Sequence, residues 1–325
     1  MCSRRRSSVR YRAARAMYRL RAWATRTRRV SRLRSSLKAV TNPFVILAAG
    51  LILIGTAAVL FAQQSASVPL RFVLLGDRTG ETVPGIYESV WREVAAAKPA
   101  FVVGAGDSIQ GLDDKTAEAE WQEFDHLLNP FHAIPFYPAA GNHDVWSDAS
   151  AKLFTAHTGH PLHYGFDNGP AHFTVLDNSR TDDLQPDELA FLESDLKAHE
   201  SQPVKFIVSH RPSWLLNVIL RNPGFPLARL AKQYGVHYVI AGHVHEMMHA
   251  TLDGIEYVSV PSAGGHLRNS NKYDDGWFFG YIVVTVDGKN ANFEVHELGP
   301  PNGEARITPL SAWGAAGLLD KPKVN

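Results

Sequence analysis

From residue 70 onward the hydrophobic positions fall in short, nearly unbroken runs. "LRFVLLGD" (70–77), "AFVVGAGD" (100–107), "IPFYPAAGNHD" (134–144), "AHFTVLD" (171–177), "VKFIVSH" (204–210) and "VHYVIAGHVH" (236–245) read as strands buried on both faces. Between several of them apolar residues recur at helical spacing, over 84–98 with Pro84 near the start, 117–128, 186–199 and 227–234. Strands alternating with helices predict an α/β sheet. After Met247 the helical spacing stops, and "IEYVSV", "FGYIVVTVDG" and "NFEVHEL" predict an antiparallel meander with turns at Asp253-Gly254 and Asp287-Gly288. Residues 299–325, with Pro and Gly throughout, are expected to be irregular. One run is longer than any strand: Pro43 to Ala62 carries no charge, and as a helix its 20 residues measure about the 30 Å of a bilayer core. It is apolar all round instead of along one stripe, so 42–63 reads as a transmembrane helix.

Charge sharpens that assignment. Residues 1–41 hold 14 Arg and Lys and no acid, which leaves 19 of the 33 basic residues against all 32 acids, a net charge near −13 for the remainder. A basic flank on the N-terminal side predicts a cytoplasmic tail at 1–41 and a membrane-anchored, extracytoplasmic domain at 68–298. The apolar run exceeds the 7–15 residues of a cleaved signal, which favours a signal anchor; cleavage would instead give a secreted protein. Met17 offers an alternative start with a shorter basic segment. The acidic body excludes a phosphate-polymer surface, so no nucleic-acid partner is expected. Cys2 is the only cysteine, which rules out internal disulfides and thiolate ligands.

The polar residues of the domain sit at strand ends. Asp77, Asp107, Asn142 with His143 and Asp144, His210, and finally His243 and His245 each close a predicted strand, at the edge where open α/β sheets place ligands. Carboxylates, an amide and imidazoles without thiolate suit Mn, Fe or Zn. A single ion would not use so many ligands, whereas two ions about 3.5–4 Å apart sharing a carboxylate would. His243 and His245 alternate along what reads as an extended turn, so both would face one cavity. His249, further along, reads as a hydrogen-bonded strand residue or, alternatively, a residue supporting the ligands or touching substrate.

The succession GD, GD, GNHD, an apolar strand ending in His, and GHVH resembles the calcineurin-like metallophosphoesterase superfamily over residues 71–260. That resemblance implies a four-layer αββα sandwich with a dinuclear site. It implies that Asp77 and His245 hold the first metal, that Asp107 bridges, and that Asn142, His210 and His243 hold the second. His143 would serve the leaving group and Asp144 would orient it. The chain departs from the family in the first motif: Thr79 stands where most members have His, and Gln110 stands three residues after Asp107 where the purple acid phosphatase branch has Tyr. Thr79, Gln110 or water would then complete the first metal. The chemistry implied is hydrolysis of a phosphate mono- or diester by metal-bound hydroxide, with a non-catalytic phosphate- or metal-binding module as the alternative. Arg78 and Arg211, each beside a ligand, are candidate phosphate forks. "SWLLNVIL" (213–220) is expected either to pack on the core or to form an apolar lip for a lipid-linked ester. The histidines of "HTGHPLH" (157–163) are expected at the solvent or the substrate rim.

Overall fold

The computed structural model describes residues 68–299 and 305–313. The predicted tail at 1–41 and transmembrane helix at 42–63 lie outside them, and among the described residues no helix is long and apolar enough to cross a membrane. Twelve strands are described: Leu70–Leu75 (β1), Val102–Gly104 (β2), Phe136–Pro138 (β3), Tyr164–Asn168 (β4), Ala171–Val175 (β5), Val204–Val208 (β6), Tyr238–Ala241 (β7), Met248–Leu252 (β8), Ile255–Ser259 (β9), Gly280–Asp287 (β10), Asn290–Glu297 (β11) and Ile307–Pro309 (β12). They form two six-stranded sheets, ordered β12-β11-β10-β1-β2-β3 and β4-β5-β6-β7-β9-β8. The helices are Ile86–Ala96 (α1), Ala117–Leu128 (α2), Asp148–Thr158 (α3), Pro186–Ala198 (α4), Leu215–Ile219 (α5) and Pro226–Gln233 (α6).

Alternation along each strand explains the layering. Phe72 and Leu74 of β1 face Phe173, Val175, Phe206 and Val208 of the second sheet, with Phe72 edge-on to Phe173 at 5.0 Å. Val73 and Leu75 point the other way, onto Val90, Trp91 and Val94 of α1. In the second sheet Ile207 turns outward onto Leu192 and Leu196 of α4 and Ala228 and Ala231 of α6. Helices therefore cover the outer face of both sheets, and strands buried on two sides read as continuous apolar runs. β1, β2 and β3 run parallel, as do β5, β6, β7 and β9, so the carboxyl ends of the central strands share one edge.

Three expectations give way to the structure. The meander does not form, because β9 pairs in parallel with β7 in the second sheet, whereas β10 and β11 form a hairpin on β1 of the first. Asp253-Gly254 does join β8 to β9, with φ of 55° and 81° as a type I′ turn requires. Gly288 and Lys289 make the other turn, one residue later than expected. The segment after 299 is not wholly irregular: β12 adds to the first sheet, and Leu310 and Trp313 enter the inter-sheet core. The histidines at 157–163 do not gather at a rim. His157 stacks on Trp121, His163 on Phe191 and His160 on Tyr164, each half-buried.

The "SWLLNVIL" stretch is two-sided. Trp214 is fully buried and lies 5.4 Å from the Tyr257 ring, and Val218 is buried with it, while Leu216, Ile219 and Leu220 are 66%, 51% and 68% exposed. Trp214→Ala is expected to destabilise the fold by about 3–5 kcal/mol, a cost typical of an emptied aromatic site. Chemical denaturation measures it, and a cost below about 1 kcal/mol would contradict this placement.

Candidate metal centre

The loops that follow β1, β2, β3, β6 and β7 bring the predicted residues together. The core of the arrangement is a nest of four polar side chains. His210 Nε2 lies 3.0 Å from Asn142 Oδ1, 3.1 Å from His243 Nδ1 and 3.3 Å from Asp107 Oδ2. The other ring nitrogen of His210 donates to the carbonyl of Ala105 at 2.8 Å, which turns Nε2 inward. Beside this nest stands a second pair: His245 Nε2 lies 3.2 Å from Asp77 Oδ2, and both side chains are completely buried. His245 Nδ1 donates to the carbonyl of His266 at 2.8 Å, so Nε2 again points inward, and it is a buried nitrogen without a hydrogen-bond partner. A buried imidazole nitrogen facing a buried carboxylate without a well-aligned hydrogen bond is stabilised by a positive charge between them, either a proton or a metal ion.

Backbone strain marks the same positions. Asp107, His243 and His245 adopt left-handed φ values of 58°, 70° and 63°. Non-glycine residues there cost on the order of 1–3 kcal/mol each and persist where surroundings over-determine them. Here they are so determined. The N–H of His243 donates to both oxygens of Asp77 at 2.9 and 3.0 Å, and the N–H of Asp107 donates to Asp144 at 2.7 Å. These angles replace the extended turn expected for 243–245, yet the His245 ring still reaches Asp77 and the His243 ring lies against His210. Gly242 is needed for close approach, since a Cβ there would lie 2.5 Å from Asp77 Oδ1.

Electrostatics follow from this packing. Burial alone would push the Asp107 carboxyl up, but the charge and hydrogen bond of His210 outweigh it and hold Asp107 below the usual carboxylate range. Burial likewise opposes protonation of His210, and Asp107 with Asp77 overrides it, raising that imidazole to about 9. Burial and the charge of His210 lower His243 to about 4. The nest thus favours one positive charge, in the form of a proton on His210, and a divalent ion bound there must displace it.

The remaining predicted residues take other places. Asp144 does not orient His143: both of its oxygens are occupied by backbone N–H groups, from Asp107, Ser108, Ile109 and Gly141. It is the anchor of the loop that carries Asp107, and burial together with the Asp107 charge raises its carboxyl to about 6. His143 instead donates Nδ1 to the carbonyl of Gln110 at 2.5 Å, and its backbone N–H donates to Asp107 at 2.8 Å. Arg78 is no phosphate fork, because it spans the carbonyl of Ser108 and the carboxylate of Glu123. Arg211 is drawn to Asp182 at 2.6 Å. Thr79 and Gln110, the two departures from the family pattern, are hydrogen-bonded to each other at 2.5 Å, with Thr82 and the Glu81 N–H completing the set. Their oxygens are committed within that group. His249 pairs with Glu256 on the neighbouring strand, as a hydrogen-bonded strand residue does.

Arg268 escapes the sequence patterns. It is exposed and makes no hydrogen bond or ion pair among the described residues, and its Nη2 lies 3.6 Å from the point where a Cβ on Gly80 would sit, while His245 Nε2 lies 3.1 Å from the same point. Its one signal in the sequence is position, nine residues after the end of a strand, β9, that lies parallel to β7. Asn178 is also absent from the motifs, yet its Oδ1 accepts the N–H groups of His210 and Arg211 at 3.1 and 3.0 Å and so fixes the turn that aims His210.

Comparison with known proteins agrees with this architecture. The family model for calcineurin-like phosphoesterases matches residues 70–247. Tartrate-resistant acid phosphatase type 5 of Oryctolagus cuniculus is 24% identical over 321 residues, covering 81% of this chain and 94% of that protein. A 3',5'-cyclic-nucleotide phosphodiesterase of Nostoc sp. is 27% identical over 161 residues, covering 46% of this chain and 58% of that protein. A purple acid phosphatase from yellow lupin (Lupinus luteus) superposes with a TM-score of 0.55 at 16% identity over 80% of this chain, which spans little more than half, 57%, of the lupin chain.

Proposed function

The chain belongs to the calcineurin-like phosphoesterase family and is a hydrolase acting on phosphoric esters, and on that premise we propose that it cleaves phosphate monoesters in a dinuclear centre. Asp77 and His245 would hold one ion, Asn142, His210 and His243 the other, and Asp107 would be shared. The observation that carries this reading is the inward-facing Nε2 of His245, 3.2 Å from Asp77 Oδ2 without a well-aligned hydrogen bond, beside the cluster of Asn142, His243 and Asp107 around His210 Nε2. Oxygen and nitrogen donors without sulfur fit Mn, Fe or Zn. Bound there, two such ions would acidify a shared water and draw charge from the phosphoryl oxygens.

The chain's own residues supply the rest. His143, held through Nδ1 on the Gln110 carbonyl, presents Nε2; a proton carried there could pass to the departing alkoxide. Asp144 keeps the backbone of 107–109 in register, which holds the bridging carboxylate in place. Arg268 offers an uncommitted guanidinium to a phosphate that carries a second negative charge, and this favours a monoester over a diester. The near full-length likeness to an acid phosphatase supports the same choice. A charge-free run at 43–62 behind a basic segment supports a membrane-anchored, extracytoplasmic location.

Arg268→Ala is expected to raise KM for a monoester by about 10-fold, with kcat within a factor of two, as loss of a charged hydrogen bond to bound phosphate would do. Steady-state kinetics read it directly, and an unchanged KM would remove Arg268 from the site. The function itself is tested by hydrolysis of p-nitrophenyl phosphate and its bis-ester with added Mn²⁺, alongside metal analysis. Faster turnover of the monoester with two ions per chain supports the proposal. Two bound ions without turnover of either ester would mark a non-catalytic module, and preference for the bis-ester would mark a diesterase.

A further inference from the structure

At the opposite edge of the second sheet, Asp167, His172, Asp195 and His199 cluster away from every family motif. Asp167 of β4 and His172 of β5 are cross-strand partners, and His172 stands near the amino end of β5, about one strand length from the edge that carries the ligands described above. His172 is completely buried. Its Nδ1 lies 2.7 Å from Asp167 Oδ1, and its Nε2 lies 2.9 Å from Asp195 Oδ2. His199, directly after α4, stacks on the His172 ring at 4.0 Å. The Nδ1 of His199 donates to the backbone carbonyl of Asp195 at 2.8 Å, which leaves Nε2 on the outer side, 4.0 Å from Asp167 Oδ2.

We propose that Asp167, His172 and His199 form a separate binding site for a divalent cation of the zinc type, through Asp167 oxygen, His172 Nδ1 and His199 Nε2. The three donor atoms lie together on one side of the cluster, all within 4.8 Å of one another. Neighbouring donors in a tetrahedral zinc site are about 3.3 Å apart, and the present spacings, 2.7 Å from His172 Nδ1 to Asp167 Oδ1 and 4.0 Å from His199 Nε2 to Asp167 Oδ2, bracket that value. Each imidazole also has the support that metal-bound histidines show, with the far ring nitrogen held by a carboxylate or a carbonyl, here the side chain and the backbone of a single residue, Asp195. Thr174 donates to the same Asp195 oxygen at 2.7 Å and keeps that carboxylate in place. The rings are nearly parallel, so His199 must tilt towards Asp167 to bring its lone pair onto the ion; its side chain is one-third exposed and Asp167 is 41% exposed, which leaves room for the tilt and for a water as fourth ligand. An ion bound here would clip the edge hairpin β4–β5 to the end of α4, a structural role. Lys205, the partner of His172 on β6, is turned onto the carbonyls of Glu200 and Gln202.

The test counts metal in the full chain after dialysis against micromolar Zn²⁺, for the wild type and for Asp167→Asn combined with His199→Ala. Both positions are partly exposed, and neither belongs to the strand-end site, so the variant should keep its fold and its phosphoesterase activity. The wild type is expected to retain one zinc more per chain than the variant, with affinity for that ion falling at least about 100-fold, and zinc should raise the melting temperature of the wild type by more than that of the variant. Equal zinc content in the two proteins would overturn the proposal. The difference of one ion does not depend on how many the strand-end centre takes, so failure here and failure of the dinuclear reading are separate results.

Discussion

Asp107→Asn is expected to abolish hydrolysis and to strip metal from the strand-end centre together. In the proposed centre Asp107 is the shared carboxylate; its Oδ2 faces His210 at 3.3 Å while Oδ1 takes the His143 N–H at 2.8 Å. The amide substitute keeps the shape but loses the negative charge that faces His210 and that would hold a cation there. Charge stabilisation by metal in such sites is worth several kcal/mol, so turnover should fall on the order of 10³-fold or more. Metal analysis should show at most one ion per chain. Because Asp107 is buried, circular dichroism must first show a folded variant. Retention of two ions with ordinary turnover would remove Asp107 from the bridging position.

The second large effect separates chemistry from metal binding. His143→Ala should lower turnover by about 10²- to 10⁴-fold, the usual worth of a general acid, with metal content unchanged. His143 touches the nest only through its backbone N–H on Asp107, and alanine keeps that bond. Its side chain is fixed by the carbonyl of Gln110 and contributes no atom to the cluster around His210. The defect should shrink for esters with acidic leaving groups, which depart without a proton, and grow for alkyl phosphates. A His143→Ala variant that loses its metal would show instead that the ring is a ligand, and equal defects across leaving groups would remove its role as acid.

The six metal candidates were legible in the sequence because parallel strands buried on both sides are apolar throughout, so a polar residue that closes such a run stands out. What lies one step beyond a side chain's own identity was not legible. Asp144 follows His143 directly and reads as its partner, yet its oxygens are filled by the N–H groups of 107–109 and 141, and only the folded loop reveals those donors. Arg78 and Arg211 adjoin ligands in sequence but turn to Glu123 and Asp182, whereas Arg268 comes from a loop with no periodic signal. The left-handed conformation of His243 is likewise held by Asp77, far away in the chain.

Missed elements have physical causes of the same kind. β4, "YGFDN", is half-buried in alternation, and Gly165 interrupts the apolar signal that marks the other strands. The capping box of Ser147 with Ser150 announces α3, but the helix buries little beyond Phe154 and so shows weak periodicity. Strand β9 was found, yet nothing in an apolar run says which of two sheets it joins; its parallel pairing with β7 is decided by the short I′ turn that sends β8 outside it.

The most direct measurement is an anomalous difference map from crystals grown with Mn²⁺ or Zn²⁺. Two peaks about 3.5–4 Å apart are expected, one between Asp77 and His245 and one among Asn142, His210 and His243, with Asp107 touching both. No density beside His245 Nε2, or a lone peak remote from the ends of β1, β2, β6 and β7, would contradict the dinuclear reading.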